Sequence, residues 1–469
     1  MPRKDAGGQA GKAAGRAADP AANHAAEIAA GNAAESATAD FHALAGLAWY
    51  AQRKPVFTGG NRVRLLQGGR DLFPALTERI DAAQDSVWLA LYIVSPLGQS
   101  GGVLQALMRA ARRGVQVHLV VDGLGSREAP EALWKDMAAA GVQLAVYRPV
   151  KGLSAIFDAG QWRRMHLKLC VVDGAHAFIG GINLIDDHYD LHHGWSDQPR
   201  LDYALQAQGA VVTPMLHTVK AIWTRAQFGR DWRDDLTQWA QDPNLLKRLQ
   251  ELLRQARLRL SPEEQSDIAQ AVNLSLPMRS AFVMRDNLRQ RRTIEQASLQ
   301  AILQARQRID IVTPYFYPHR AIRLALRSAA SRGVEVRLLL QGKLDYRIAG
   351  LAAQVLYHEL QWHGVRIFEY QPAFLHAKVL CVDDEWATVG SSNLDPLSLV
   401  LNLEGNLIVK DRGFVRTLSA SLNEDFALSR EVPPPPDGHR PGWWARVRRG
   451  FVAWVAKTYL RLAGVTGRY

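Results

Sequence analysis

Only two cysteines occur in the 469 residues, Cys170 and Cys381. That is too few for a disulfide scaffold, so they read as small apolar groups buried in a reducing compartment. No uninterrupted apolar run reaches about eighteen residues, the length a membrane-spanning helix requires. No basic, Leu-rich leader opens the sequence either, which leads to the expectation of a peripheral protein on the cytoplasmic side. Aromatic residues are missing before Phe41, in a stretch rich in Ala and Gly. Without large apolar anchors, residues 1–58 are expected to form a flexible tail. Acidic residues are missing from 441 to 469, where six Lys or Arg stand.

Positive charge is present in excess: 57 Lys and Arg face 45 Asp and Glu, a net charge of +12. Such a chain suits nucleic acid or an anionic membrane surface, and charge alone does not choose between them. The 48% apolar content is enough for two domains of ordinary size.

The chain is organised around a repeated stretch. MHLKLCVVDGAHAFIGGIN at 165–183 returns as LHAKVLCVDDEWATVGSSN at 375–393. Each copy runs His-x-Lys, then Asp seven residues after the His (Asp173, Asp383), then a Gly-rich turn ending in Asn ten residues later (Asn183, Asn393). The two His lie 210 positions apart, so the sequence holds two copies of one domain, each giving half of a site. Read as a strand, 165–172 puts His166 and Lys168 on one face and Leu167, Leu169 and Val171 on the other. In the second copy His376 and Lys378 share a face, backed by Ala377, Val379 and Cys381. Two His, two Lys and two Asn form a neutral base or nucleophile pair inside a positive, hydrogen-bonding clamp. That set suits a phosphate ester: His attacks or moves protons near pH 7, while Lys and Asn stabilise charge on the phosphoryl oxygens.

These residues resemble the paired HxKxxxxD motifs of the phospholipase D superfamily. WRRMH at 162–166, RRGVQVHLVVDGLGS at 112–126 and WATVGSSNLDPLSLVLNLEGNLIV at 386–409 narrow the resemblance to bacterial cardiolipin synthases of the short form. It covers roughly 60–225 and 280–430. Leu167 departs from it, standing where many members carry Arg. The resemblance implies catalytic roles for His166, Lys168, His376 and Lys378 and phosphate binding by Asn183 and Asn393. It gives Asp202 and Glu404, in the phrases Leu201-Asp202-Tyr203 and Leu403-Glu404-Gly405, the task of orienting the histidines. Asp173, Asp383, Gly181 and Ser391 are structural members of the motif.

Helix and strand patterns alternate through both copies. In the first, strands are predicted at 63–66, 87–94, 115–121 and 142–147, and helices at 71–83, 102–113 and 131–140. In the second, helices are predicted at 293–306 and 320–331 and strands at 309–312 and 334–340. The fold class is therefore α/β: two pseudo-symmetric phospholipase D-like domains, each a mixed sheet flanked by helices, with the active site between them. The domains are placed at 59–230 and 281–432, joined by a helical connector at 231–280 with an apolar stripe through Leu245, Leu249, Leu252, Leu253, Ala256 and Leu260.

Three further features ask for a reading. Asp186, Asp187, His188, Asp190, His192 and His193 cluster in sequence but match no strong metal spacing, so no metal and no cofactor is expected. Tyr315 and Phe316, matched by Tyr92 in the first copy, read as core or rim packing rather than as catalysts. Residues 433–469 form a basic amphipathic tail in which Trp443, Trp444 and Phe451 are expected to contact the bilayer interface. The resemblance then implies a phosphatidyltransferase on the cytoplasmic face of the bacterial inner membrane. Its donor and acceptor would be phosphatidylglycerol, with phosphatidylethanolamine as a second donor. A phospholipase D, a nuclease and a non-enzymatic nucleic-acid-binding protein are the alternatives, and the last fits least with two intact motif sets and an apolar tail.

Overall fold

The computed structural model describes residues 53–149, 164–191, 193–228, 277–286, 290–342, 356–394 and 402–434. The tail before residue 53, the connector from 231 to 276 and the carboxyl segment with Trp443, Trp444 and Phe451 lie outside them.

The first lobe is a seven-stranded mixed sheet. Its strands are β1 (Arg62–Gln67), β2 (Ser86–Leu91), β3 (Gln116–Asp122), β4 (Gln143–Tyr147), β5 (Leu169–Val172), β6 (His176–Gly180) and β9 (Tyr203–Gln208), and a small hairpin, β7 (Tyr189–Asp190) with β8 (Gly194–Trp195), stands apart from it. The spatial order is β1-β9-β6-β5-β2-β3-β4. β2, β3 and β4 run parallel because helices α2 (Ser100–Arg112) and α3 (Glu131–Ala139) carry the chain back between them, while the motif strands pair antiparallel. The second lobe repeats this with β10 (Arg279–Arg285), β11 (Arg308–Val312), β12 (Glu335–Gln341), β13 (Arg366–Tyr370), β14 (Val379–Val382), β15 (Trp386–Gly390) and β16 (Glu404–Lys410), ordered β10-β16-β15-β14-β11-β12-β13. One added strand, β17 (Ser429–Glu431), closes its edge. β10 opens at Arg279 and Thr58 bridges to Ser280, so the second sheet begins just ahead of residue 281 and reaches back to the chain before the first.

Alternation along the motif strands divides the core. Leu169 and Val171 of β5 face a core shared by both lobes, together with Val379 and Cys381 of β14, whereas Cys170 and Val172 face the first lobe's own core and Leu380 and Val382 the second's. The two cysteines therefore point into different cores, one residue out of step, and burial pushes both thiols well above their ordinary value. Helix α1 (Gly68–Asp81) covers the outer face of the first sheet with Leu72, Phe73, Leu76 and Ile80, a helical spacing. α5 (Thr293–Gln304) and α6 (Arg320–Ser331) serve the second sheet. α4 (Val212–Phe228) and α7 (Arg412–Ala427) turn inward, adding Met215 and Val219, and Leu418 and Leu422, to the shared core. The Arg-Gly-Val joints after α2 and α6 place Gly114 and Gly333 at φ +94° and +88°, the left-handed helix end that glycine adopts most cheaply.

A polar contact crosses the shared core. The Tyr203 hydroxyl, from β9, donates to Asp425 at 2.5 Å and lies 2.7 Å from the Ser421 hydroxyl, both on α7. Burial raises the Asp425 carboxyl from near 3.8 to about 6. Between those values the folded state holds a proton that the unfolded chain has lost, so this group adds stability as pH falls through 6, and the gain levels off below 3.8. Asp425→Asn keeps an acceptor for Tyr203 without the charge. It should raise stability near neutral pH by up to about 3 kcal/mol, the equivalent of two pKa units, with the gap closing toward about pH 4 in thermal melts. Parallel stability curves for wild type and variant would contradict a buried charge here.

Candidate active site

The histidines stand just before the motif strands. The sequence pattern reads 165–172 as one strand, but the ladder begins only at Leu169, because the preceding backbone pairs with the other lobe instead of with its own sheet. Met165 bridges Leu403 and Leu375 bridges Leu201, each in parallel. The His166 amide donates to the Leu403 carbonyl at 3.0 Å, and the His376 amide to the Leu201 carbonyl at 2.8 Å. Each histidine is thus laid beside the residue that precedes the opposite lobe's carboxylate.

The carboxylates are consequently exchanged. His166 Nδ1 lies 3.1 Å from Glu404 Oε2, and His376 Nδ1 lies 2.7 Å from Asp202 Oδ2. A carboxylate on Nδ1 fixes the tautomer and leaves Nε2 for chemistry. The two imidazole centroids are 6.3 Å apart, a spacing that lets both address one tetrahedral phosphorus. Lys168 Nζ donates to the His166 carbonyl at 2.9 Å and stands 5.4 Å above the Tyr92 ring, and Lys378 Nζ donates to the His376 carbonyl. Tyr92 also meets His166 edge-on at 5.1 Å.

The electrostatics favour an anionic guest. Burial and then the nearby lysines pull both imidazoles down, His376 to about 3, so both are neutral at pH 7. Lys168 is drawn well below its ordinary value, first by burial and then by the Lys378 ammonium. Burial works to raise Asp202 and Glu404, yet the histidine and lysine beside each hold it below the usual carboxylate range. A phosphodiester between two crowded ammonium groups relieves their repulsion and restores basicity to the imidazoles.

The two halves are not identical. A Cβ at Gly181 would sit 2.2 Å from Asp202 Oδ1, so this position admits only glycine, whereas Ser391 donates its hydroxyl to Glu404 Oε2 at 2.6 Å. Glu404 is one methylene longer than Asp202 and shares its carboxylate among His166, Ser391 and Asn402. Leu167 is buried in the shared core, and a Cβ at Gly405 would meet its Cδ1 at 2.4 Å.

Family comparison agrees with this geometry. The family described as cardiolipin synthase, PLD-like domain matches residues 76–193 and 298–426, one segment in each lobe. The chain belongs to the phospholipase D superfamily. Within it, the chain is 36% identical over 364 residues to cardiolipin synthase B of Salmonella typhi, covering 77% of this chain and 80% of that protein. It is 34% identical over 385 residues to cardiolipin synthase B of Escherichia coli, covering 82% and 85% respectively. The fold resembles the crystal structure of phosphatidylserine synthase from Haemophilus influenzae, with a TM-score of 0.58 at 13% identity, over 88% of this chain and 98% of that one.

The superfamily motif's remaining residues sit around the centre. Asp173 and Asp383, at φ +50° and +52°, turn away from the histidines. Asp173 accepts the amides of Gln84, Asp85 and Ser86, and Asp383 those of Arg306, Gln307 and Arg308, so each ties its motif turn to the start of a neighbouring strand. Asp383→Ala should cost about 3 kcal/mol through lost charge-assisted bonds and left-handed strain. The folded fraction should keep its turnover; a large loss of turnover in fully folded protein would give Asp383 a place in the chemistry. Asn183 accepts the Ile93 amide at 3.2 Å and, with Lys168, lines a cavity of about 30 Å³. Lys378 lines a counterpart of about 20 Å³. Both are room for a water or two and far smaller than a lipid. Asn393 is buried at the turn after β15.

Asp122 and Gln341, which the pattern reading passes over, end β3 and β12 and accept the amides of Met165 and Leu375, the residues before the histidines. Arg164 lies 3.7 Å from Asp122 and donates to the Arg148 carbonyl. The Asp122-Gly123 strand end and the Arg-rich WRRMH phrase are the signals that mark them. Phe316 packs in the second lobe's core and Tyr315 is half-buried. The acidic loop turns inward: Asp186 accepts the amides of Gln99 and His188, and Asp187 that of Gly69. Among the described residues no three His, Cys, Asp or Glu side chains are grouped to hold a metal.

Proposed function

We propose that the chain is a cardiolipin synthase, moving a phosphatidyl group from one phosphatidylglycerol to another and releasing glycerol. The exchanged histidine–carboxylate pairs, with their imidazole centroids 6.3 Å apart, carry this reading, supported by likeness to cardiolipin synthases B over most of the chain. His166 Nε2 attacks phosphorus, the bond from phosphorus to the glycerol oxygen breaks, and protonated His376 gives its proton to that oxygen. The second lipid's hydroxyl then returns a proton to His376 and attacks phosphorus, breaking the phosphorus–nitrogen bond and freeing His166. Lys168, Lys378, Asn183 and Asn393 hold the phosphoryl oxygens, while Asp202 and Glu404 orient the rings. No group outside the chain is needed to balance either step.

Among the described residues no helix is long and apolar enough to cross a membrane. Peripheral attachment at the cytoplasmic face of the inner membrane fits this reading, with the basic segment from 441 to 469 as an anchor to anionic lipid. Phosphatidylethanolamine serves as a second donor in the same scheme, and nucleic acid has no part in it. The test is the product mass after incubation with vesicles of phosphatidylglycerol alone, with phosphatidylethanolamine plus glycerol, and with DNA. Cardiolipin from the first supports the reading; phosphatidic acid as the main product would make the protein a hydrolase, and cleaved DNA a nuclease.

A further inference from the structure

A lipid phosphodiester lies at headgroup depth, so the face of the protein around the catalytic histidines has to meet the bilayer. The β7–β8 hairpin is rooted next to His376. Its trailing root is Arg200-Leu201: the Leu201 amide donates to the Phe374 carbonyl, and the Leu201 carbonyl accepts the His376 amide. Its leading root follows Asn183 and is fastened by Asp186 and Asp187 to Gln99 and Gly69. The His193 ring packs 5.0 Å from Phe374, two residues before His376.

The hairpin has no core of its own, yet it is built to hold its shape. Tyr189 pairs with Trp195 across the ladder with ring centroids 5.2 Å apart, and the Ser196 amide donates to the His188 carbonyl at 2.7 Å. Arg200 donates to the Tyr189 carbonyl at 2.7 Å and lies 3.5 Å from Asp190, which also meets His193. A polar clasp of this kind holds Trp195 outward at 61% exposure. Leu97, 43% exposed, is on the loop after β2 that the same Asp186 fastens. One exposed apolar side chain is ordinary. An indole backed by Tyr189, held out on a fixed hairpin beside the histidines, with Leu97 on the adjoining loop, is the arrangement of an interfacial anchor, apolar ring at headgroup level and ring N–H toward water. Asp186, Asp187 and Asp190 are turned inward or paired, which keeps their charge off an anionic surface; Asp197 stays exposed and limits insertion to the ring itself.

We propose that this hairpin, with Trp195 as anchor and the Leu97 loop beside it, is the surface that seats the active-site mouth on the lipid bilayer. The proposal rests on the reading of a lipid substrate and is separate from any contact made by the carboxyl segment.

Full-length wild type, Trp195→Ala, Trp195→Phe and Leu97→Ser are compared on phosphatidylglycerol vesicles, by co-sedimentation and turnover, and on short-chain phosphatidylglycerol below its micelle concentration. Trp195→Ala should weaken vesicle binding and vesicle turnover by about tenfold, the loss of one partly buried aromatic side chain. Turnover on the monomeric lipid should stay as in wild type, Trp195→Phe should recover most of the loss, and Leu97→Ser should move the same way to a smaller extent. Vesicle binding by Trp195→Ala and Leu97→Ser equal to wild type overturns the proposal, as does a loss on monomeric lipid as large as that on vesicles, which would assign the hairpin to the chemistry. Circular dichroism checks that each variant is folded. Absence of cardiolipin with wild type would sink the proposed function but leave the co-sedimentation comparison intact, so the two failures are told apart.

Discussion

Lys168→Met and Lys378→Met should each lower phosphatidyl transfer by about two orders of magnitude, the loss of roughly 3 kcal/mol found when one preorganised donor to a developing oxyanion is removed. Both side chains are 3% exposed, and each ammonium reaches back to the carbonyl of its own motif histidine. They are therefore positioned before substrate arrives and need no rearrangement in the transition state. Burial and mutual repulsion already disfavour the charge on Lys168. Replacing it with an apolar side chain of similar length should leave the melting temperature unchanged or raised, so reduced turnover cannot be blamed on unfolding. Relief of the repulsion also makes the double variant informative. If the clamp acts as one unit on one phosphate, Lys168→Met with Lys378→Met loses less than the product of the single losses. Near-native turnover by both single variants on vesicles and on short-chain lipid would remove the lysines from the mechanism.

The repeat was legible because its spacing is chemical as well as structural. His, Lys, Asp and Asn recur at fixed offsets, and the alternation at Leu167, Leu169 and Val171 shows which side chains face the shared core. Most strands and helices of the first lobe before the motif could be read the same way, within a few residues at their ends. β9, β16 and α7 could not, because their apolar residues pack against the other lobe and their pattern carries meaning only once both lobes are present. The same reason hides the exchange of carboxylates. Asp202 and Glu404 each follow their own copy's motif, and only the bridges Met165 to Leu403 and Leu201 to Leu375 carry them across. The asymmetry is readable in retrospect: Gly181 goes with the shorter Asp202, Ser391 with the longer Glu404, Leu167 with Gly405.

If His166 attacks and His376 carries the proton, as proposed, Asp202→Asn should be the more damaging carboxylate change. Asp202 meets His376 at 2.7 Å, whereas Glu404 also serves Ser391 and Asn402 and meets His166 at 3.1 Å. A more closely held carboxylate supports a cation better, which suits His376 to the proton once a phosphodiester's charge has entered, and leaves His166 neutral for attack. Asp202→Asn should then cost up to about 10⁴ in turnover, as when the acid partner of a catalytic histidine is neutralised elsewhere, while Glu404→Gln, beside the histidine that attacks as a neutral ring, should cost about a hundredfold or less. The order is tested with a donor lipid whose leaving group is p-nitrophenolate, which departs without a proton. In His376→Asn the first displacement then proceeds, but no base activates the acceptor, so phosphatidyl label should accumulate on the peptide containing His166. His166→Asn should release no p-nitrophenolate and carry no label. Label on the His376 peptide of His166→Asn would reverse the roles, and release of p-nitrophenolate without label on either peptide, under mapping conditions that preserve phosphoramidates, would mean direct attack by the acceptor.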